Sequence, residues 1–378
     1  MNLTTLKAGY QSNKPNQVVG HHYMPQLDTL RAIAVILVII SHWFSAEHVF
    51  NRFTSNGTLG VTLFFVLSGF LITGILLRNK TDVQKGFSTS GAFKIFYIRR
   101  SLRIFPVYYL LLVVLVLFNI ASVRESFWWH FFYASNFFFW AKGEFGGSLS
   151  HLWTLSVEEQ FYLIWPAIIL FIPVKNLPAA FVLGILTAII FRFLVITPQN
   201  ELGRFLMPGS LDSFCIGALF AYGRYLTTAT YQRYAKSKNF LVIVAVVLLA
   251  FVHTSIYKNA NWFFKPDYYF IISISFGVLI DKVADTVTYP PLGIFLNNKI
   301  LQYIGKISYG IYLFHNFIPF FYGLPLPKSF EPVSLYIIQI CRFGILIAIA
   351  SLSWFLFEKP LLKLKDRFSF GRRQVITS

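Results

Sequence analysis

Long apolar runs separated by short polar stretches recur along the chain after a polar start. Residues 1–26 are polar, and the first apolar run begins at Leu27. Runs of about 20 apolar residues have the length of a helix that crosses a bilayer. The pattern therefore predicts an all-α, polytopic membrane helix bundle with about ten transmembrane helices. The predicted spans are 27–45, 58–78, 103–120, 151–172, 177–197, 205–223, 239–257, 267–281, 301–322 and 333–357.

The segment Phe127–Trp140 is ambiguous. It has about 14 residues and is interrupted by His130, Ser135 and Asn136, which is more typical of a re-entrant or interfacial segment than of a span. If it does not cross, most Lys and Arg residues lie in loops on one side of the membrane. If it crosses, they divide almost evenly between the two sides. Because cytoplasmic loops are enriched in Lys and Arg, we expect no crossing and two cytoplasmic termini.

Composition supports the membrane prediction. Hydrophobic residues make up 56% of the 378 and charged residues only 13%, too few to coat a soluble protein of this length. The net charge of +18 is explained by positive cytoplasmic loops, so we expect no nucleic-acid partner. Cys215 and Cys341 form no CxxC pair, so we expect neither a disulfide framework nor a metal. We expect no cleavable signal peptide, one membrane domain over 27–365, and cytoplasmic tails at 1–26 and 366–378.

Several ionisable residues lie inside predicted spans, where such residues are costly and tend to mark function. Arg31 and His42 are eleven positions apart, so they share a helix face with about 16 Å between them. Snorkelling of Arg31 to the headgroups, with His42 in the interface, is an equal alternative. Glu158 and Glu159 are adjacent carboxylates that packing does not explain. They point about 100° apart, so we expect one to face the bundle interior and the other a second partner.

The predicted topology brings a group of polar residues to one depth. His42, His151, Glu158, Asp212 and His315 all fall in the outer half of the bundle under that topology. Convergence from four spans favours a functional centre over separate packing roles. For Asp212 alone, an ion pair with a neighbouring arginine or a helix cap is an equal alternative.

Three arginines lie in the run FYIRRSLRIFPVYY, residues 96–109. Arg99, Arg100 and Arg103 precede or begin a span, and Arg100 and Arg103 lie near one another on a helix. Ordinary positive flanking of a span or contact with anionic lipid explains them without a specific site. A second interpretation is a fork for phosphate groups, which arginine binds bidentately.

Several of these motifs together resemble the membrane acyltransferase-3 family. LDTLRAIAVILVIISHWF resembles its opening signature, an Arg or Lys followed by ten residues and a His, with Arg31 and His42 in those positions. The resemblance continues through GVTLFFVLSGFLIT (60–73), the Arg-x-x-Arg element at Arg100 and Arg103, HLWTLSVEEQFYLIWP (151–166) and ISYGIYLFHNF (307–317). It covers the chain from residue 27 to 365.

The resemblance implies O-acylation, usually O-acetylation, of a sugar hydroxyl on a cell-envelope polysaccharide or lipid-linked glycan in the bacterial inner membrane. The implied co-substrate is cytoplasmic acetyl-CoA or another acyl-CoA. The family's catalytic roles carry over to His42, Glu158 and Arg31, and its donor-binding pair to Arg100 and Arg103, beside which we also place Arg99. Residues expected to support the site or the substrate are His151, Trp153, Ser156, Glu159, Asp212, Tyr309 and His315.

Two positions depart from the pattern of many relatives. Thr62 stands where they carry Asp, and Ser210 where they carry Arg, so no role is carried over to either residue. Some relatives append an esterase-like domain after the membrane part. The chain ends at Ser378, so we expect it to act alone or with a separate partner.

The topology and the resemblance together suggest a mechanism. The arginines would hold the CoA phosphates at the inner mouth, and the pantetheine arm would reach towards His42. Histidine has an unperturbed pKa of about 6.5, which suits a general base, so His42 would take that role with Glu158 orienting it; an acylated His42 is the alternative. A membrane carrier or flippase for a lipid-linked or polyanionic solute is the competing function, and a structural subunit is the third. The acceptor, the acyl chain length and the oligomeric state are not determined by the sequence.

Overall fold

The computed structural model describes residues 23–45, 48–52, 56–144, 147–196, 201–226, 229–258, 266–285, 292–318 and 331–364. Within these ranges the chain is helical and contains no strand, which confirms the all-α prediction. The helices are α1 (Pro25–Trp43), α2 (Val49–Arg52), α3 (Asn56–Gln84), α4 (Thr89–Leu117), α5 (Phe127–Phe131), α6 (Ser135–Lys142), α7 (Trp153–Phe171), α8 (Leu177–Val195), α9 (Leu211–Leu226), α10 (Ala229–Lys258), α11 (Pro266–Ala284), α12 (Leu292–Leu296), α13 (Lys299–Lys306), α14 (Ser308–Phe314), α15 (Glu331–Ser353) and α16 (Lys359–Leu364).

Six helices in the described part of the chain are long and apolar enough to cross a membrane, and the protein is accordingly a multi-pass membrane helix bundle. The predicted number of ten is not confirmed. The polar residues of α7, the three charges of α11 and the 16-residue length of α9 keep these helices outside that set. The predicted span 301–322 is interrupted at Ile307, where α13 ends and α14 begins. The six segments are Pro25–Trp43, Asn56–Gln84, Thr89–Leu117, Val174–Val195, Thr230–Phe251 and Leu335–Leu364.

The segment 127–140 folds as two short helices, as the prediction of a re-entrant or interfacial segment requires. Helices α5 and α6 have five and eight residues, so neither can cross a bilayer. Tyr133 separates them in the left-handed conformation, with φ of 52°. That conformation is uncommon for a residue with a side chain and ends a right-handed helix.

Helix α3 lies at the centre of the bundle, where it packs most extensively against α9 and α1. Two glycines allow the backbones of α3 and α9 to touch. A methyl group on Gly69 would lie 2.1 Å from the carbonyl oxygen of Phe214, and one on Gly217 would lie 2.2 Å from that of Val66. Small residues at such crossings are a common device of helix packing in membranes. The contact fixes the first half of α3 beside the start of α9.

Helix α7 is anchored to α3 by a buried lysine. The ammonium group of Lys80 donates to the carbonyl oxygens of Ile169, Leu170 and Ile172 at 2.8, 2.9 and 2.7 Å. These carbonyls lie at the C-terminal end of α7, where no intrahelical donor follows and where a positive charge is favourable. The adjacent carboxylates of α7 are therefore held in a fixed position relative to α3.

Candidate active site

A cavity of about 210 Å³ lies between α1, α3, α4, α7 and α14. We call it the arginine cavity because it is lined by three arginines from two helices. Both carboxylates of α7 also line it, so the expectation that Glu158 and Glu159 face different surroundings is wrong. The cavity extends around α7 far enough to meet both side chains. Its polar lining residues are Arg31, Ser68, Arg100, Arg103, Thr154, Glu158, Glu159, Tyr162, Ser308, Tyr309 and Tyr312.

Except for Arg31, which is paired with Asp28, the charged groups of the arginine cavity form no ion pair among the described residues. Oε1 of Glu158 accepts from the Ser68 hydroxyl at 2.8 Å, and that hydroxyl lies 3.1 Å from the hydroxyl of Tyr162. The guanidinium of Arg100 lies over the ring of Tyr162, 5.6 Å from its centroid. Oε1 of Glu159 has no hydrogen-bond partner within the described chain. Aromatic rings thus position the cation while its donors still face the cavity.

A second cavity, of about 400 Å³, lies between α1, α3, α7 and the start of α9. We call it the histidine cavity because His42 and His151 line it. Thr62 and Ser210, the two positions that depart from the family pattern, line it as well. Its other polar and aromatic lining residues are Ser41, Thr58, Phe65, Ser150, Trp153, Arg192, Arg204, Phe205, Asp212, Ser213, Tyr269 and Tyr312.

Three histidine rings from three segments pack against one another beside this cavity, at tilted or edge-to-face angles, and we call them the histidine cluster. The rings of His42 and His315 have centroids 4.9 Å apart, and those of His315 and His151 are 4.8 Å apart. His151 and His315 are almost completely buried, whereas the side chain of His42 is open to the cavity. The structure thus brings together three of the histidines that the sequence predicted to converge.

The hydrogen bonds of the histidine cluster determine which ring nitrogens carry protons. Nδ1 of His315 lies 2.6 Å from the carbonyl oxygen of Tyr312, so this nitrogen donates and Nε2 accepts in the neutral ring. Nδ1 of His42 lies 2.9 Å from the carbonyl oxygen of Val38 and 3.2 Å from Nε2 of His315. Since both partners are acceptors, Nδ1 of His42 carries its proton. Nε2 of neutral His42 therefore has a free lone pair for a base.

His151 is fixed in the same way. Its Nε2 lies 3.1 Å from the carbonyl oxygen of Leu313 and must donate, so its Nδ1 accepts from the Asn316 side-chain amide at 3.2 Å. Both ring nitrogens of His151 are therefore hydrogen-bonded, one to Leu313 in α14 and the other to Asn316 just after it. His151 consequently stabilises the histidine cluster and has no ring nitrogen left to bind a substrate.

Asp212 is held by an ion pair with an arginine, one of the two alternatives that its sequence left open. Nη2 of Arg192 lies 2.7 Å from Oδ2 of Asp212, and both side chains are buried. Oδ1 of Asp212 accepts from the backbone N–H of Ser213 at 2.9 Å near the start of α9. Arg192 comes from α8, so the structure supplies from a second helix a cation that Ser210 does not provide.

The two cavities meet at a shared wall. Val61, Phe65 and Tyr312 line both of them. The hydroxyl of Tyr312 donates to the carbonyl oxygen of His151 at 2.9 Å and lies 2.5 Å from Oγ1 of Thr154. These bonds hold the phenol ring across the junction between the arginine and histidine cavities.

A third cavity, of about 310 Å³, continues from the arginine cavity on the side away from the histidines. We call it the mouth cavity because residues at the start of α1 and in the second half of α3 line it. It shares Arg31, Arg103 and Tyr309 with the arginine cavity. The three cavities therefore follow one another in the order mouth, arginine, histidine. Arg31 and His42 lie at different ends of this series, as their spacing on α1 predicts.

Several predicted residues lie elsewhere than expected. Glu158 is in the arginine cavity, and it forms no hydrogen bond with His42 in the described structure. The prediction that Glu158 shares the depth of the histidines is therefore wrong. Glu158 lies two helical turns of α7 beyond His151, and α7 carries it past the shared wall. The groups that orient His42 are Val38 and His315.

The remaining predicted residues divide between the cavities and the packing around them. Trp153 lines the histidine cavity and stacks against Phe205, with ring centroids 4.2 Å apart. The hydroxyl of Ser156 is buried 2.8 Å from that of Ser135 and lines none of the three cavities. Arg99 is exposed and lines none of them either. Tyr309 donates to the carbonyl oxygen of Ile104 at 2.8 Å.

Sequence reasoning missed four residues that complete the site. Tyr312 forms the wall, Arg192 neutralises Asp212, and Ser68 and Tyr162 hold Glu158. Tyr162 and Tyr312 had a local signal, since they lie one helical turn from Glu158 and His315. Arg192 had only the general signal of a charged residue inside a predicted span, and Ser68 had none, because their partners are distant in sequence.

The fold and these cavities define a helical membrane protein with a charged end and a histidine end. The chain matches the family described as an acyltransferase domain over residues 24–357 and belongs to that membrane acyltransferase-3 family. It is 33% identical over 317 residues to peptidoglycan O-acetyltransferase OatA of Listeria monocytogenes, which covers 78% of this chain and 49% of that protein. No solved structure matches the chain.

Two further relatives are similar over more of the chain. A putative O-acetyltransferase of Staphylococcus aureus is 30% identical over 369 residues, covering 90% of this chain and 58% of that protein. Putative peptidoglycan O-acetyltransferase YrhL of Bacillus subtilis is 29% identical over 389 residues, covering 94% of this chain and 57% of that protein. The chain thus spans about half the length of the curated relatives it matches.

Proposed function

We propose that this protein is an O-acetyltransferase that moves an acetyl group from coenzyme A to a sugar hydroxyl of a cell-envelope polysaccharide. The observation that carries the proposal is the series of three cavities, with arginines at one end and His42 at the other. The arginine end suits a thioester that carries a long polyanionic group. A hydroxyl that needs a base fits the His42 end. The names of the relatives support the acetyl group and the glycan acceptor.

The donor in this proposal is acetyl-CoA, bound through Arg31, Arg100 and Arg103. Guanidinium groups bind phosphate and carbonyl oxygens through several directed N–H donors. Arg100 and Arg103 have no hydrogen bond or ion pair with another described residue, so their donors are available to a ligand. The thioester would lie against the wall of Val61, Phe65 and Tyr312.

The acceptor hydroxyl would approach from the histidine cavity. Nε2 of His42 accepts the hydroxyl proton while the sugar oxygen forms its bond to the thioester carbonyl carbon. The carbon–sulfur bond then breaks, and the imidazolium of His42 returns the proton to the leaving thiolate. His315 and the Val38 carbonyl accept from Nδ1–H of His42 throughout and stabilise the imidazolium, as the orienting group of a catalytic triad does.

This reaction requires Tyr312 to move or to leave a gap, because the thioester and the hydroxyl start on opposite sides of it. Trp153 and Phe205 offer the sugar an aromatic surface in the histidine cavity. We place the mouth cavity on the cytoplasmic side of the bacterial inner membrane, where the donor is made, and both termini in the cytoplasm. Positive loops on that side support this orientation.

The experiment is acetyl transfer from radiolabelled acetyl-CoA to purified envelope glycan by the full chain in proteoliposomes. His42→Gln should lower the rate by about 10²–10⁴-fold, the usual contribution of a general base. His48→Gln is the matched control, since His48 follows the same helix and lines none of the three cavities. Unchanged transfer by His42→Gln at equal expression would refute the assignment. Label trapped on His42 would favour an acyl-imidazole intermediate over general-base catalysis.

A further inference from the structure

The mouth cavity carries more positive charge than the proposed reaction uses. Arg78, Arg103 and Lys306 line it, from α3, α4 and α13, and Glu358 is a carboxylate among them. A fourth cation, Arg31, is already paired with a carboxylate, since its Nη1 lies 2.5 Å from Oδ1 of Asp28. The remaining three cations face one unpaired acidic side chain. The cavity is therefore suited to a ligand with several negative charges.

Two cations of the mouth cavity, Arg78 and Lys306, have N–H donors that are not bonded to other described residues. In the part of the chain that the structure describes, Arg78 forms no hydrogen bond and no ion pair. The ammonium group of Lys306 lies over the ring of Trp354, 5.7 Å from its centroid, and forms no ion pair with a described residue. Unpaired cations from separate helices around one cavity create a positive potential that attracts an anion.

An aromatic ring lies beside these cations. Trp354 lines the mouth cavity from the first position of a π-helical turn, Trp354–Glu358, that separates α15 from α16. Turns of this kind occur frequently at functional sites, because the extra residue changes where side chains point. Here the turn includes both Trp354 and Glu358. A flat aromatic face next to cations is the combination that binds a nucleotide base and its phosphates.

We propose that the mouth cavity binds the nucleotide end of the donor, with Arg78, Arg103 and Lys306 on the phosphates and Trp354 against the adenine. This inference rests on the proposed function, in which the donor is a coenzyme A thioester. Arg100 lines the arginine cavity and not the mouth, so it contacts the pantetheine arm and its carbonyl oxygens instead of the phosphates. Of the Arg-x-x-Arg pair, only Arg103 therefore contacts the phosphates, together with Arg78 and Lys306.

The test compares two donors with the full chain in nanodiscs of neutral phosphatidylcholine. Acetyl-CoA carries the nucleotide, and acetyl-pantetheine lacks it. Arg78→Gln and Lys306→Gln should each raise the KM for acetyl-CoA about tenfold relative to the KM for acetyl-pantetheine, which corresponds to one charged hydrogen bond. The same substitutions should weaken binding of adenosine 3′,5′-bisphosphate, measured by calorimetry, by the same factor. Lys94→Gln is the control, since Lys94 is exposed and lines none of the three cavities.

The outcomes separate this inference from the function on which it rests. Equal KM changes for the two donors, or unchanged binding of the bisphosphate, would overturn the nucleotide site while leaving acetyl transfer intact. If the mouth cavity binds a lipid phosphate instead, neither substitution changes either KM in neutral nanodiscs. Absence of turnover with both donors by the unsubstituted protein would refute the proposed function itself.

Discussion

The arginine and histidine cavities lie side by side but hold their polar groups in opposite ways. In the arginine cavity, Arg100 and Arg103 keep their donors free of protein partners among the described residues. Beside the histidine cavity, the rings of His151 and His315 have both nitrogens occupied, and among the ring nitrogens of the described histidine cluster only Nε2 of His42 is left open. The first arrangement suits a ligand that brings its own charges. The second suits a reaction that needs one group in one fixed orientation.

The ion pair beside the histidine cavity gives the largest expected effect. Arg192→Met would leave the buried carboxylate of Asp212 without its partner. In soluble proteins such a change lowers the free energy of unfolding by about 3–5 kcal/mol. We expect the purified Arg192→Met variant to melt at a clearly lower temperature than the unsubstituted protein. Arg192→Met combined with Asp212→Leu should recover most of the loss, because no charge is then left buried.

The exposed Arg99 provides the control for this comparison. Arg99→Met should change the melting temperature little, since surface substitutions usually stay within about 0.5 kcal/mol. A double variant as unstable as Arg192→Met alone would show that Asp212 has a role beyond its pairing with Arg192.

Substitution of His315 has the next largest expected effect and tests whether the histidine cluster orients His42. His315→Ala removes the acceptor that faces Nδ1–H of His42, and a lost hydrogen bond to a charged group is worth about 1.5–3 kcal/mol. We expect kcat to fall by about 10–100-fold with little change in the KM for acetyl-CoA. His315→Gln retains an acceptor and should recover part of kcat. A rise in KM without a fall in kcat would show that His315 acts on donor binding instead.

The wall between the cavities gives the smallest effect. Tyr312→Ala opens a direct path for water from the histidine cavity to the thioester, so acetyl-CoA hydrolysis without a glycan acceptor should rise a few-fold. Tyr312→Phe keeps the ring and loses only the bonds to His151 and Thr154, so it should hydrolyse little more than the unsubstituted protein. Equal hydrolysis by the two variants would mean that the ring does not separate the cavities.

The sequence predicted the elements of this site better than their partners. Hydrophobic runs place the long helices because the bilayer fixes their length, and α1 carries Arg31 and His42 towards different cavities as its helical spacing requires. The pairing of His42 with His315 depends on how α1 packs against α14, which no local pattern encodes. For the same reason Glu158 was predicted to orient His42, although the wall of Tyr312 lies between their cavities.

Short and broken helices were the other limit of prediction. The interruption at Ile307 lies within an apolar run that reads as one span, and α14 after it brings Tyr312 and His315 beside His42 and His151. The π-helical turn at Trp354 is equally hidden within a continuous apolar run. In both places tertiary packing determines the local backbone, so hydrophobic periodicity alone does not reveal it.

The central claim is that donor and acceptor enter from opposite ends of one series of cavities. The most direct test uses sealed proteoliposomes in which Lys94→Cys, in a Cys341→Ser background, reports through an impermeant maleimide on which side the arginine end faces. Acetyl-CoA is supplied on that side and envelope glycan on the other. We predict acetylated glycan in this arrangement and none when the two compartments are exchanged. Acetylation only when both substrates share one compartment would contradict the account.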